Sequence, residues 1–307
     1  MKARRLPTAS PARATPATKP ARDFRALLYD SLHERWQSFR TELKRCQKKS
    51  SEAAVHDLRV ATRRLISTLD LLASIYPEGN LRKARRRLKK QLDMFGPLRD
   101  VQVQLLSVDK MLPSFPELQG FYEHLVKRER QLVQRLGAEV NRVKTGKVKK
   151  AIDIAAKEVE GLFDTPAKTR EKLTTAIHAV DTAFNKVVER KLAVNPTDSA
   201  TIHRMRVAFK KFRYLVESLA PMLERITRKH LKAMDAFQGC MGDIQDAEVL
   251  VTHATAYARK RGLESEASLT RALEELSRRR TALIETFLAS ADTLFTFWTP
   301  VPVPHLS

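Results

Sequence analysis

Glycine is scarce in this chain, with 9 among 307 residues. The two cysteines, Cys46 and Cys240, lie far apart, and neither belongs to a CxxC pair or a Cys/His cluster. That gives no basis for a disulfide framework or a thiolate metal site, and a reduced, cytoplasmic compartment is the default reading. No apolar run approaches the ~18–20 residues of a membrane span, so no membrane partner is expected. Acids are also few, with 35 Asp and Glu against 57 Lys and Arg, a formal net charge of +22. An excess of that size favours anionic partners, either nucleic acid, polyphosphate or an acidic surface, without choosing among them.

What is abundant is helix-forming. Leu, Ala, Arg, Lys and Glu recur throughout, and 43% of the residues are hydrophobic, enough for a sizeable core. The periodicity predicts helices over 24–47, 52–76, 80–95, 98–112 and 117–145, then a linking helix over 147–162. The second half reads as helices over 168–194, 199–220, 222–240, 243–262 and 264–293. Pro77 with Gly79, Gly96-Pro97 and the segment from Pro113 to Pro116 punctuate the first half. Asp164-Thr165-Pro166 is the junction between the halves. No alternating stretch bounded by hairpin turns occurs, so no sheet is predicted. The acid-free, proline-bearing residues 1–22 read as a disordered basic tail and not as a secretory signal. Residues 297–307 read as an irregular C-terminal tail.

Two motifs repeat in the same order. Residues 55–64 read VHDLRVATRR and residues 202–211 read IHRMRVAFKK. Further on, Gly96-Pro97-Leu98-Arg99-Asp100 through Val103 matches Gly242-Asp243-Ile244-Gln245-Asp246 through Val249, in the frame G-x-[L/I]-x-D-x-x-V. Between the motifs, Arg82, Lys83 and Arg86 align with Arg228, Lys229 and Lys232. Repetition of two separated motifs marks an internal duplication.

On a helix each residue turns by ~100°. With His56 as the origin, Arg59 and Arg63 share its face, while Leu58, Leu65, Leu69 and Leu72 lie opposite. In the second copy His203, Arg206 and Lys210 form the stripe, joined by Arg213, and Met205, Phe212, Val216 and Leu219 oppose it. Arg64 and Lys211 sit ~80° away from the histidine. Like charges at i,i+4 each cost a few tenths of a kcal/mol. Acids to neutralise them are missing until Asp70 and Glu217. A solvated basic face would explain one such helix, but two matched copies with a histidine in the same place point to an anion over the stripe. The histidines suit an anion-facing donor, or a hydrogen bond to a neighbouring helix. A phosphoaccepting or catalytic role lacks an accompanying acid, and His followed by Arg is not metal-ligand spacing. No cofactor and no metal is expected. In the run 82–90, Arg82, Arg86 and Lys89 are expected to lean toward the ligand. Asp100 and Asp246 are expected to stabilise helix starts, with orientation of a stripe cation as the alternative.

The duplicated H-x-x-R-V-A-x-[R/K]-[R/K] helix, followed by a basic helix and G-x-x-x-D-x-x-V, resembles the CHAD domain, the family named for its histidines in an α-helical domain. The resemblance covers roughly residues 24–293. It implies an all-α fold of two antiparallel four-helix bundles related by a pseudo-two-fold axis, here over 23–164 and 165–296, with a basic central pore. It further implies non-enzymatic binding of inorganic polyphosphate, and association with polyphosphate granules and their proteins. Some members add a triphosphate-tunnel domain with an ExExK signature. That signature is missing here, so the chain looks like a standalone copy. The residues carried over are His56, Arg59, Arg63 and Arg64 in the first motif, and His203, Arg206, Lys210, Lys211 and Arg213 in the second. The family often places a cation ten residues after the histidine; Arg213 supplies it in one copy, Ile66 replaces it in the other. The 147–162 segment has no place in the implied frame. Nucleic acid stays open as a competing partner. Only Tyr214 is placed to stack on a base.

Overall fold

The computed structural model describes residues 22–300, apart from 50, 78, 162, 164 and 264. Both predicted terminal tails lie largely outside the described residues. Among the described residues ten α-helices follow one another: α1 Arg22–Lys48, α2 Glu52–Ile75, α3 Gly79–Met94, α4 Gly96–Asp109, α5 Gln119–Asn141, α6 Gly146–Gly161, α7 Pro166–Leu192, α8 Ser199–Leu219, α9 Arg228–Arg261 and α10 Ala267–Ser290. Among the described residues there is no strand beyond one isolated bridge, Asn195 with Asp198. None of these helices is long and apolar enough to cross a membrane. The all-α expectation therefore stands.

Local chemistry sets the helix starts. Ser51 accepts a hydrogen bond from the Ala54 N–H before α2, and Thr165 accepts from Lys168 before α7, where Pro166 needs no partner for its nitrogen. Asp198 accepts from Ala200 ahead of α8, and Thr227 accepts from His230 ahead of α9. Gly262 closes α9 with a positive φ of 70°.

One expected break is absent. The periodicity predicts separate helices over 222–240 and 243–262, but α9 runs unbroken through Gly242. The first copy breaks because Pro97 lacks an N–H and its ring crowds the preceding turn. The second copy has Asp243 there, which keeps the donor, and a lone glycine is tolerated inside a helix. Consequently Asp246 lies in mid-helix and Asp100 lies beyond the first turn of α4. Neither caps a helix start, which corrects that expectation.

Two buried clusters organise the packing. The larger joins α1, α2, α3, the start of α4, the end of α5, α6, α7, α8, the first half of α9 and the end of α10. The smaller joins α4, α5, the second half of α9 and the first half of α10. Helix α9 thus spans both clusters in one piece, as α3 and α4 do in two. Helix α10 likewise spans both, as α5 and α6 do together. This places the 147–162 segment: α6 packs on α1 and α3, against the larger cluster. Helices α2 and α8 pack against each other at the centre of that cluster.

The core also takes in residues assigned to the C-terminal tail. Phe297 and Trp298 are buried, and the Trp298 indole packs edge-on to Phe212. Its Nε1 donates to Asp181 Oδ1 at 2.6 Å, inside the core. Trp298→Ala leaves a cavity and strips a buried carboxylate of its donor. It is expected to cost about 3–5 kcal/mol, read as a lower urea midpoint for loss of helical circular dichroism.

Candidate functional site

The leucine and phenylalanine faces of both motif helices are buried in the larger cluster, so their basic faces turn the other way. They open into one cleft of about 1240 Å³, walled by α2, α3, α4, α7, α8 and α9. Its lining carries thirteen Lys and Arg side chains and two histidines against five aspartates. A smaller hollow of about 640 Å³ adjoins it, sharing Asp70, Lys186 and Lys211.

The charges fall into two groups. Around the rim, cations are paired. Arg64 meets Glu217 at 3.1 Å, Arg85 pairs with Asp70, and Lys89 meets Asp93 at 2.9 Å. Arg99 reaches Glu52 at 2.7 Å, and Arg213 binds Asp235 and Gln238 at 3.0 Å each. On the floor, Arg59 and Arg63 from α2 meet Arg206 and Lys210 from α8. None of these four makes an ion pair within 4 Å among the described residues. Arg59 Nη1 donates only to the Leu92 carbonyl, at 3.4 Å. The Arg206 Nε is buried without a hydrogen-bond partner among the described residues. Its guanidinium lies flat against Gly242, where a Cβ would stand 3.5 Å from Nη2. Gly96, the counterpart in the first copy, has no such neighbour.

Protonation records the crowding. Burial, and then the fields of Arg206, Arg63, Arg59 and Lys89, lower the Lys210 amine from 10.5 to about 7. Burial and Arg63 bring Arg59 down to about 10. Arg206 is lowered by burial, against the opposing pull of Asp246. Burial raises Asp100 and Asp246, though Arg59 and Arg206 respectively oppose it. So these acids sit opposite the stripe arginines, as in the alternative role for them. At the cleft mouth, desolvation lowers His203, while a hydrogen bond with Gln245 pulls it back up.

The structure brings together His56, Arg59, Arg63, Arg64, Lys89, His203, Arg206, Lys210, Lys211, Arg213 and Tyr214. It leaves Arg82 and Arg86 exposed outside the cleft, because the face of α3 turned inward carries Arg85 and Lys89. Arg228, Lys229 and Lys232 sit in the exposed first turns of α9, whose cleft-lining stretch begins at Asp235. Tyr214 is buried, and the Arg213 guanidinium covers its ring at 4.6 Å, so it offers no open stacking face. Arg85, Arg99, Lys186, Arg190 and Arg204 also line the cleft and were not singled out from sequence. Arg99 stood inside the second repeated motif; Lys186 and Arg190 share one face of α7 at i,i+4.

The family model for the CHAD domain matches residues 30–255. This chain belongs to the CHAD domain family. Among solved structures it is similar to the CHAD domain from the plant Ricinus communis, at 20% identity and a TM-score of 0.69, over 96% of this chain and 99% of that one. It also resembles PptA from Streptomyces chartreusis, at 14% identity and a TM-score of 0.54, over 89% of this chain and 99% of that one. At these identities the likeness is one of fold. No curated protein matches the chain.

In this CHAD domain the half-buried lysine of the floor links charge to stability. Unfolded, Lys210 has its usual value of 10.5; folded, it sits at about 7. Between those values the unfolded chain binds the extra proton, so stability rises with pH across that window. Lys210→Met removes this contribution. In ligand-free protein the variant is expected to melt higher than wild type at pH 7, and the gap is expected to close toward pH 10. Parallel melting curves across that range would contradict the assignment.

Proposed function

We propose that this CHAD domain is a non-enzymatic binding module for inorganic polyphosphate, held along the cleft between α2 and α8. The observation that carries the reading is the unpaired floor. Arg59, Arg63, Arg206 and Lys210 converge without an ion pair among the described residues, and the fields of these neighbours help lower Lys210 and Arg59. A linear polyanion supplies a counter-charge at every phosphate. Arginine forks bind phosphate oxygens in pairs, and side chains already fixed by packing lose little freedom on binding. The paired rim favours entry of a flexible strand over a bulky ligand with its own cations. Association with polyphosphate granules in the cytoplasm, beside other granule proteins, follows from that choice of ligand.

Single-stranded nucleic acid offers the same phosphates. Its affinity for open grooves draws heavily on base stacking, worth about 1–3 kcal/mol per base. Here the one tyrosine of the lining is already covered by Arg213. That favours the bare phosphate polymer. A phosphotransfer role for His56 or His203 would need a partnering acid or metal, and His203 is hydrogen-bonded to Gln245.

The test compares wild type with Arg59→Ala/Arg63→Ala/Arg206→Ala/Lys210→Ala for long-chain polyphosphate at physiological salt. The variant is expected to bind at least about 100-fold more weakly, a loss of roughly 2.7 kcal/mol. Its log affinity against log salt is expected to flatten by about three, at ~0.7 per lost phosphate contact. Unchanged affinity, or equal displacement by single-stranded RNA, would contradict the proposal.

A further inference from the structure

Four lysines line the cleft, and they differ in chemistry. Lys89 is paired with Asp93 and Lys186 with Glu189. Lys211 is exposed to solvent at the edge shared with the smaller hollow. Lys210 alone is partly buried on the floor without an acid among the described residues. Every charged group that acts strongly on it is a cation: Arg59 and Arg63 from α2, Lys89 from α3 and Arg206 from its own helix. Lys186 and Arg190 of α7 line the same space, while the nearest acids of α4 and α9, Asp100 and Asp246, face Arg59 and Arg206.

An amine among fixed cations is a nucleophile in an anion site, because lysine is activated by desolvation beside other positive charges. From this arrangement we infer that Lys210 is an acylation site for small acyl phosphates, which the surrounding guanidinium groups bind by their phosphate. The inference rests on the anion-binding reading of the floor but not on the identity of the polymer. The step needs no further reagent. The amine lone pair attacks the acyl carbon, a C–N bond forms, and the bond from that carbon to the phosphate oxygen breaks. Phosphate leaves with the electron pair and an amine proton goes to it or to water. Near pH 7 the amine is about half free base, as its value of about 7 requires. An ordinary lysine is then less than roughly a thousandth free base. The product amide carries no charge, so acylation removes one of the four floor cations and weakens the hold on a polyanion.

The full chain is treated with acetyl phosphate at pH 7.5, and acetylation of Lys210 and of exposed Lys83 is followed by peptide mass spectrometry. Lys210 is expected to react at least about tenfold faster, since lower basicity takes back only part of its free-base advantage. With an uncharged acetyl ester of N-hydroxysuccinimide, its lead over Lys83 is expected to shrink, because no phosphate is steered. Lys210→Arg is expected to keep the fold and lose the fast site. Reaction at Lys210 no faster than at Lys83, or an equal lead with both reagents, would overturn the inference. Tripolyphosphate is expected to protect Lys210 and not Lys83. Selective acetylation without that protection would uphold the reactive lysine and count against polyphosphate as the ligand.

Discussion

Repulsion among the floor cations is the constraint around which this domain is built. Like charges a few ångströms apart near a protein surface repel by roughly 2–4 kcal/mol per pair. A domain's whole net stability is only about 5–15 kcal/mol. Arg59, Arg63, Arg206 and Lys210 stay together because α2 and α8 are anchored in one core through fully buried residues such as Leu58, Leu65, Met205 and Phe212. Hydrophobic burial holds the backbones in place, and loss of a proton relieves the repulsion that remains. Lys210, with the lowest intrinsic value of the four, is the one that yields most. The aspartates opposite the arginines moderate the field without reaching ion-pair distance.

Much of this arrangement was legible in the sequence, for a definite reason. A 3.6-residue period fixes which side chains share a face, so the stripe from His56 to Arg63 and from His203 to Lys210 could be read before any coordinates. The all-α class followed from composition and from the lack of alternating stretches. What could not be read was how helices lie against one another. Arg85 replaces Arg82 and Arg86 in the cleft because packing of Leu81, Ala84 and Leu88 sets the rotation of α3. Lys186 and Arg190 enter from α7, a helix that carries no motif. Tyr214 looked available for stacking, since pattern alone does not show that Arg213 folds over it.

The two occurrences of the motif differ in ways that bear on the site. Pro97 splits the first copy's helix where Asp243 lets α9 run on, and the α5–α6 turn has no counterpart in α10. Arg206 rests against Gly242, whereas Arg59 reaches for the Leu92 carbonyl. The second copy also carries Arg213, held by Asp235 and Gln238, at the place where the first has Ile66. A bound strand would therefore meet a firmly braced wall on α8 and a sparser one on α2.

If a polyanion completes the floor, its arrival must return the proton that repulsion expels from Lys210. Calorimetric titration of long-chain polyphosphate at pH 8, in two buffers of different ionisation heat, measures that exchange directly. At this pH ordinary histidines are already neutral, and Lys210 is largely deprotonated. The prediction is net proton uptake by wild type on binding, and its loss in Lys210→Arg, which is charged throughout. Binding with no proton uptake in wild type, or with the same uptake in Lys210→Arg, would contradict the claim that the ligand sits on the α2–α8 floor.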